Sequence, residues 1–330
     1  MRFRSIPIEE VDWAALDQYK DRTCSQRRPW LAYLSKIGAG MPVIAVLEDG
    51  GREIGCFTGM RKRIYGVNVL GSPMKGWNTA FMGLNLSPIV PRADALKALR
   101  RFAFFEQKCA YVELADVYQD TESARAAGYE VSASRGFVSD LALAENELFT
   151  RMTSACRRCI RKAEREGVTV EEAGPAGFAE EFHAQLSNVF AHQGLLPPYS
   201  KDRVQALVDC VYPSGNLLLL RTRTAQGQSI ATGIFHGFGK YSSFWGNGSI
   251  RDMLHLRPNQ AIHWYAMRYW KARGVVCHDW GGGGEYKKAY GPAGLTYVHQ
   301  YQTNIPGLAQ LREPALRVFY RLRRLISKTH

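Results

Sequence analysis

The chain has 330 residues, of which 46% are hydrophobic and 22% charged, with 31 Gly and 14 Pro. This composition is typical of a globular protein with one large domain or two ordinary ones, and it excludes a disordered, collagen-like or low-complexity chain. The longest apolar runs have about five residues, whereas a membrane-spanning helix needs about 20. The N-terminal residues lack the apolar core of a secretory signal. We therefore expect a cytoplasmic protein.

The positive charge is concentrated in the second half of the chain. The formal net charge is +13; residues 1–145 contain 19 basic and 17 acidic residues, and residues 146–330 contain 24 and 13. Such an imbalance favours a polyanionic partner, namely nucleic acid, anionic lipid or a phosphorylated small molecule. It is also compatible with a soluble protein that is simply basic.

Seven scattered cysteines include one C-x-x-C pair, Cys156 and Cys159. A zinc site needs a second pair at similar spacing, so we interpret these residues as reduced thiols and expect no metal.

The first half predicts mixed α and β structure. Residues 11–33 have a helical pattern, and 42–47 and 53–60 form a hairpin around Glu48-Asp-Gly-Gly51. A strand over 63–70, a Gly-rich loop over 71–88, a helix over 93–107 and a strand over 110–114 follow. A short helix over 124–128 and a strand over 137–143 complete this half.

The second half repeats this order. Helices are predicted over 150–166, 178–192, 202–210 and 259–273, strands over 168–172, 216–223, 229–238, 241–245 and 275–280, and a basic amphipathic helix over 314–325. We therefore predict an α+β (mixed α/β) fold with domains at 1–145 and 146–330. Each domain is expected to hold a mixed, largely antiparallel sheet flanked by helices.

Three segments of the second half are candidates for ligand contact. In the predicted helix at 150–166, Arg158, Arg161, Lys162 and Arg165 fall on one face, and Arg157 adds a fifth cation. Clustered cations repel one another unless an anion binds, so this helix is either a solvated basic face or a phosphate contact.

The second segment is Arg257-Pro-Asn-Gln260, which precedes an apolar helix. Asn259 is predicted to be its N-cap. The free backbone N–H groups of a helix N-terminus and the charge of Arg257 suit an anion. Gln260 completes this candidate group.

The third segment runs from Asp279 to Gly291 and contains four successive glycines, 281–284. Glycines let a backbone approach another backbone or a ligand closely. Lys287 does not follow the glycines with the spacing of a P-loop. The candidate residues around this run are Asp279, Glu285, Tyr286, Lys287, Lys288 and Tyr290.

Together these segments resemble the Fem-type aminoacyltransferases, relatives of the GNAT acyltransferases. The resemblance covers about residues 145–305 and rests on the motifs Arg157-Arg-Cys-Ile-Arg-Lys, Arg257-Pro-Asn-Gln-Ala-Ile262 and Asp279-Trp-Gly-Gly with Tyr286-Lys-Lys-Ala-Tyr-Gly291. It implies two tandem GNAT-like domains and acyl transfer to an amine. The implied donor is an aminoacyl-tRNA, and the implied acceptor is a peptidoglycan precursor, a peptide or another small amine.

The resemblance also implies roles for individual residues. The family's phosphate contact falls on Arg157, Arg158 or Arg161, and its motif lysine falls on Lys287, between the aromatic positions Tyr286 and Tyr290. Lys287 and backbone N–H groups near 241–245 are expected to stabilise the oxyanion. Asp279 or Glu285 is expected to accept the amine proton. Trp245 is a candidate substrate contact, although such aromatic residues more often belong to the core.

Two departures from the family pattern leave alternatives open. Arg257–Ile262 stands where ordinary GNAT enzymes carry the glycine-rich coenzyme A loop, and no segment is long enough for the helical arm of some Fem proteins. One alternative is an N-acyltransferase that uses acyl-CoA or an acyl carrier protein. The basic residues of the predicted C-terminal helix and its end (Arg317, Arg321, Arg323, Arg324 and Lys328) favour another, a non-catalytic binder of nucleic acid or of an anionic membrane surface. No tightly bound cofactor is expected in the leading interpretation.

Overall fold

The computed structural model describes residues 1–191, 194–282 and 284–307. The chain forms two compact units: Met1–Arg135 with the segment that begins at Thr296, and a second unit that spans Gly136–Leu295. The boundary suggested by the charge pattern, after Glu145, therefore lies inside unit 2. The basic helix predicted over 314–325 lies outside the described residues, and so does the membrane contact inferred from it.

Unit 1 begins with a strand and two short helices. The elements before its central loop are β1 (Arg2–Ile6), α1 (Trp13–Leu16), α2 (Arg28–Lys36), β2 (Met41–Asp49), β3 (Arg52–Ile64) and β4 (Val67–Ser72). The later ones are β5 (Leu84–Leu86), α3 (Arg92–Arg101), β6 (Tyr111–Asp116), α4 (Thr121–Ala126) and β7 (Glu130–Asp140). A 3₁₀ turn spans Cys24–Gln26, and a π-helical turn, Phe102–Glu106, extends α3.

The helix predicted over 11–33 is wrong, because a buried polar network interrupts it. Arg22 is 1% exposed and donates to Asp17 Oδ1, to the Gln26 carbonyl and to Asn85 Oδ1. A buried guanidinium needs such partners to offset its desolvation. The chain therefore bends around Arg22 instead of continuing as a helix. The predicted loop over 71–88 also contains β5, which pairs with β3.

Unit 2 repeats the order of elements. Its first two helices are α5 (Glu145–Arg151) and α6 (Ser154–Arg165). It then contains β8 (Thr169–Glu172), α7 (Phe178–Ala191), α8 (Lys201–Val211), β9 (Leu217–Arg223), β10 (Ser229–Phe238), β11 (Tyr241–Ser249), α9 (Pro258–Ala272) and β12 (Cys277–Asp279). The strand β13 (Ala293–Thr303) follows, and from Thr296 onward it belongs to unit 1. Single 3₁₀ turns cover Tyr212–Ser214, Arg251–Leu256 and Glu285–Tyr290.

Both sheets mix antiparallel and parallel pairing. In unit 1 the strands β1 to β4 pair antiparallel in sequence order, β4 pairs parallel with β6, and β6 pairs antiparallel with β13. In unit 2, β8 to β11 pair antiparallel, β11 pairs parallel with β12, and β12 pairs antiparallel with β7. The strand β13 lies between β6 and β7 in the strand order. It therefore joins unit 1 from the second half of the chain, whereas β7 pairs with β12 of unit 2 from the first half.

Each unit has its own hydrophobic core, formed where helices cover the sheet. In unit 1 the helix α3 buries Ala95, Leu96 and Leu99 against strand residues such as Phe57 and Leu114. In unit 2 the helices α6 and α9 bury Ile160 and Met267 with Leu220. None of the helices in the described ranges has both the length and the apolar character needed to cross a bilayer.

Candidate functional site

The site predicted in unit 2 lies where two parallel strands separate. Pairing of β11 with β12 runs from Tyr241↔Cys277 to Ser243↔Asp279 and stops there, although β11 continues to Ser249. The register of β11 against β10 shifts at the same level, so that Trp245 is the extra residue of a bulge. Bulges re-aim the backbone next to functional sites. Beyond Asp279 the chain turns away through the glycines.

Gly281 is held against the bulged strand. Its φ is 64°, and a Cβ placed there would lie 2.8 Å from the Phe244 carbonyl oxygen. Its N–H donates to Asp279 Oδ1 over 2.8 Å. Only glycine combines this backbone conformation with such a close approach. The prediction that the glycines allow close backbone contact is thus confirmed at Gly281.

The ammonium of Lys287 is buried beneath this turn. The residue is 5% exposed, and Nζ donates to the carbonyls of Trp280 and Gly281, each over 2.6 Å, and of Gly282 over 3.2 Å. Burial lowers the pKa of Lys287 to about 8, and the charge of Asp279 opposes that shift. All three N–H donors are used by the turn, so a direct hydrogen bond to a substrate requires that one of them be released.

The neighbouring lysine points elsewhere. Lys288 is 58% exposed and forms an ion pair with Glu285 over 2.8 Å. Glu285 is itself 79% exposed, so its carboxylate is open to solvent. Asp279 is fully buried and holds the Gly281 turn. Of the two candidate proton acceptors, only Glu285 is accessible.

An aromatic shell surrounds His263 beside Lys287. Its imidazole contacts Phe244, Trp280 and Tyr290 with ring centroids 4.7–5.3 Å apart, and Tyr286 lies at 6.5 Å. His263 is 1% exposed, and in the described part of the chain neither ring nitrogen has a hydrogen-bond partner. Burial lowers the pKa of His263 to about 3, assisted by His278 and Lys287, so the imidazole is neutral.

The start of α9 is adjacent to this shell. Tyr290 is 3% exposed, and its hydroxyl donates to the Asn259 carbonyl over 3.4 Å. Burial raises the pKa of Tyr290 well above its usual range, so the phenol stays protonated. Tyr286 is 54% exposed and forms the solvent-facing side of the shell.

The predicted N-cap is wrong. Helix α9 begins at Pro258, and Arg257, with φ 64°, occupies the cap position without a side-chain hydrogen bond to the helix. Asn259 lies inside the first turn, where its side chain accepts from Asn247 Nδ2. Proline at the first helical position explains this start. Arg257 is exposed and Gln260 half-buried.

The basic helix predicted around residue 158 is α6, and its cations divide into two kinds. Arg157 donates to the Thr150 and Met152 carbonyls, each over 2.6 Å, so it stabilises the α5–α6 connection. The remaining four form the cationic face: Arg158, Arg161, Lys162 and Arg165. Within the described ranges none of the four forms an ion pair with a carboxylate.

The cationic face belongs to the helix that starts at the Lys287 turn. The Thr153 N–H donates to the Ala289 carbonyl over 2.9 Å, which joins the N-terminus of α6 to the 3₁₀ turn. Arg161 lies over the Phe149 ring at 5.3 Å. The structure thus brings Asp279, Tyr286, Lys287, Tyr290 and the start of α6 together.

Trp245 does not join this group. It is 6% exposed and packs against Tyr199 and Phe182, with centroids 4.4 and 6.1 Å away. The bulge turns its side chain into the core beside α7, which is the alternative that the sequence favoured for aromatic residues.

The corresponding point of unit 1 is filled by its own chain. There β4 and β6 pair as far as Ser72↔Leu114. The Gly83 N–H donates to the Ser72 carbonyl and the Met82 N–H to the Ala115 carbonyl. Met74 contacts Gly71. The gap between the two parallel strands, which is open in unit 2, is therefore bridged in unit 1 by the segment 82–83. The candidate site lies in unit 2.

Comparisons with known proteins agree with this architecture. Residues 150–290 match the model of an acetyltransferase (GNAT) domain. The fold is similar to that of FemX, with a TM-score of 0.74, 14% identity and coverage of 90% of this chain and 97% of that one. It is also similar to L-PGS from Bacillus licheniformis (TM-score 0.53, 13% identity, coverage 89% and 92%).

A third similar structure is the C-terminal domain of a putative lysylphosphatidylglycerol synthetase from Agrobacterium fabrum (TM-score 0.54, 11% identity, coverage 86% and 91%). No curated protein sequence matches the chain significantly. Residues 150–290 are thus similar to a GNAT acetyltransferase domain, and the chain shares the fold of FemX.

Sequence reasoning missed the residues that enclose Lys287. The sequence predicts no role for His263 or Phe244, because each lies in an apolar segment with an ordinary core pattern, and Trp280 is noted only as part of the Asp279-Trp-Gly-Gly motif. The one available signal was a histidine at an inward position of an apolar helix, which by itself predicts a core residue. Their role depends on contacts between α9, β11 and the Gly281 turn, which no local pattern contains.

Proposed function

We propose that unit 2 transfers an aminoacyl group from aminoacyl-tRNA to an amine of a peptidoglycan precursor, a peptide or another small acceptor. The observation that carries this proposal is the cationic face. Four adjacent cations without protein counter-charges favour a polyanion, and RNA phosphates are such a partner. The helix that presents these cations begins at the Lys287 turn. A tRNA bound to this helix therefore has the end that carries the amino acid within reach of Lys287.

The reaction needs little activation by the protein. The acceptor nitrogen attacks the ester carbonyl, the C–N bond forms, and the C–O bond to the tRNA ribose breaks. The amine loses a proton, and the departing ribose oxygen gains one. Because the ester is already activated, positioning and charge stabilisation account for most of the acceleration.

Lys287 acts mainly through its field and its effect on the turn. Its buried positive charge favours negative charge on the tetrahedral intermediate, because the low local dielectric strengthens the interaction. By holding three carbonyls it also fixes the backbone next to the bulge of β11, whose N–H groups are candidate donors to the oxyanion. Glu285, open to solvent, accepts the amine proton directly or through water.

The test is single-turnover transfer from radiolabelled aminoacyl-tRNA to a panel of amine acceptors. We expect transfer to disappear after ribonuclease treatment. Replacing the four residues of the cationic face by glutamine is expected to lower the affinity for tRNA and to make that affinity less dependent on salt concentration. The matched control places glutamine at four exposed arginines of unit 1, namely Arg28, Arg52, Arg63 and Arg125. Transfer that survives ribonuclease, or equal losses in both variants, contradicts the proposal.

A second donor is supported by the family match, whose model describes an acetyltransferase. An acyl-CoA or an acyl carrier protein would also donate an acyl group to the amine, with the thiol as the leaving group. The cationic face would then bind the diphosphate of coenzyme A or the acidic carrier protein. Thermal shift with CoA thioesters, together with thiol release, separates the two donors. Absence of both the shift and the thiol excludes the CoA form.

A further inference from the structure

A cavity of about 280 Å³ lies in unit 2 and is lined in part by Tyr290 and Gly291. Its polar lining comes from Ser139, Asp140, Arg151 and Cys277, and its apolar lining includes Leu143, Leu148 and Val276. The volume equals that of about nine water molecules in the liquid. This space is large enough for an amino acid with a medium-sized side chain.

The walls of the cavity are fixed by hydrogen bonds and close contacts. Lys271 Nζ donates to the carbonyls of Leu141 and Leu143 over 2.8 and 2.6 Å, which holds the segment after β7. A Cβ on Gly291 would collide with the Arg151 carbonyl, so the end of the 3₁₀ turn packs directly on the end of α5. The cavity is therefore preformed, and preformed sites lose less entropy when a ligand binds.

The polar lining groups retain hydrogen-bonding capacity. Asp140 Oδ1 accepts from the Ala142 N–H, which leaves Oδ2 available. Arg151 uses one nitrogen for Glu147 over 3.0 Å, and its other N–H groups have no protein acceptor in the described ranges. Ser139 Oγ accepts from Trp280 Nε1 over 2.9 Å and can still donate its proton.

Opposite charges and apolar side chains thus line one small space. Asp140 and Arg151 do not pair with each other. A carboxylate suits an ammonium group, and a guanidinium suits a carboxylate. We propose that this cavity binds a small amphiphilic zwitterion, namely a free amino acid with a medium-sized aliphatic side chain. The assignment stands independently of the proposed acyl transfer.

The test uses three related probes in calorimetric titrations of the full chain. L-leucine has both charges, L-leucinamide lacks the carboxylate, and 4-methylpentanoate lacks the amine. We expect L-leucine to bind most tightly. Arg151→Gln should weaken L-leucine roughly 10-fold and leave L-leucinamide unchanged, and Asp140→Asn should weaken L-leucine by a similar factor and leave 4-methylpentanoate unchanged, as expected for the loss of one charge-assisted bond.

Arg268→Gln is the matched control. Arg268 is 53% exposed and pairs with Glu145 over 3.0 Å, and Arg151 is 52% exposed and pairs with Glu147 at the same distance. Only Arg151 lines the cavity. Saturable L-leucine binding that changes with Arg151→Gln but not with Arg268→Gln supports the proposal. Lack of saturable binding, or equal effects of the two arginine variants, overturns it.

Cys277 provides a second readout of location. Burial raises the pKa of its thiol to about 11, so alkylation by N-ethylmaleimide is slow and is followed at pH 9 by peptide mass spectrometry. Saturating L-leucine is expected to slow modification of Cys277 and not of Cys159, which lies on α6. Binding without protection of Cys277 would place the ligand elsewhere and overturn the assignment.

Discussion

Replacing Lys287 by methionine tests the cost of the buried ammonium. Burial lowers the pKa of Lys287 from 10.5 to about 8. One pKa unit corresponds to about 1.4 kcal/mol, so the shift amounts to about 3 kcal/mol. The folded protein is therefore destabilised by this amount, relative to the unfolded chain, at every pH at which Lys287 is protonated in both states.

The sign of the pH dependence follows from the lowered pKa. Below about pH 8 both states are protonated and the penalty is complete. As the pH rises from 8 to 10.5 the folded state has lost the proton while the unfolded chain still binds it, so the stability of the native state increases. Compared with Lys287→Met, the wild-type protein is expected to gain about 2.5 kcal/mol between pH 7 and pH 10.

The assay is urea denaturation of both proteins at pH 7 and pH 10. Using the difference between two proteins removes the contributions of the tyrosines and thiols, which are the same in both. Lys288→Met is the control, because Lys288 is exposed and paired only with Glu285; its difference from wild type should stay nearly constant with pH. If the difference in free energy of unfolding between wild type and Lys287→Met is the same at both pH values, the ammonium of Lys287 is not buried in the folded state.

Three further outcomes are expected. In single-turnover transfer, Lys287→Met should be slower by about 10²-fold and Lys288→Met by less than about 10-fold; equal small effects would remove Lys287 from the mechanism. The pKa of His263 is lowered to about 3, so this residue lowers the free energy of unfolding as the pH falls below 6.5, by about 2 kcal/mol at pH 5. Urea denaturation of His263→Phe should show that this contribution is missing. Gly281→Ala should lower the urea midpoint by more than Gly50→Ala, whose φ of 55° is similar but whose Cβ position is open; equal shifts would contradict the close contact with Phe244.

The strands and helices that depend on local pattern were predictable. The strand expected at 229–238 is β10, Ser229–Phe238, because apolar residues between two turn signals specify such a strand locally. The helix expected at 11–33 failed because Arg22 finds partners 63 residues away in Asn85. A helical pattern contains no information about that contact.

The candidate site was predictable in part for the same reason. Gly281 and Lys287 stood out by composition and by resemblance to a family. The three carbonyls that receive the Lys287 protons and the aromatic shell around His263 depend on how β11, β12 and α9 pack. Composition also could not separate Arg157, which stabilises the α5–α6 connection, from the four residues of the cationic face.

The pairing of strands from opposite halves of the chain has a consequence for its synthesis. The β6–β13 pairing joins Tyr111 to Thr303, so the sheet of unit 1 stays incomplete until residue 303 has left the ribosome. Fragments 1–145 and 146–330, made separately, would each lack the strand that completes a sheet and would expose an unpaired edge. Such long-range pairing slows folding. Co-expressed fragments should reassemble, whereas either fragment alone should aggregate.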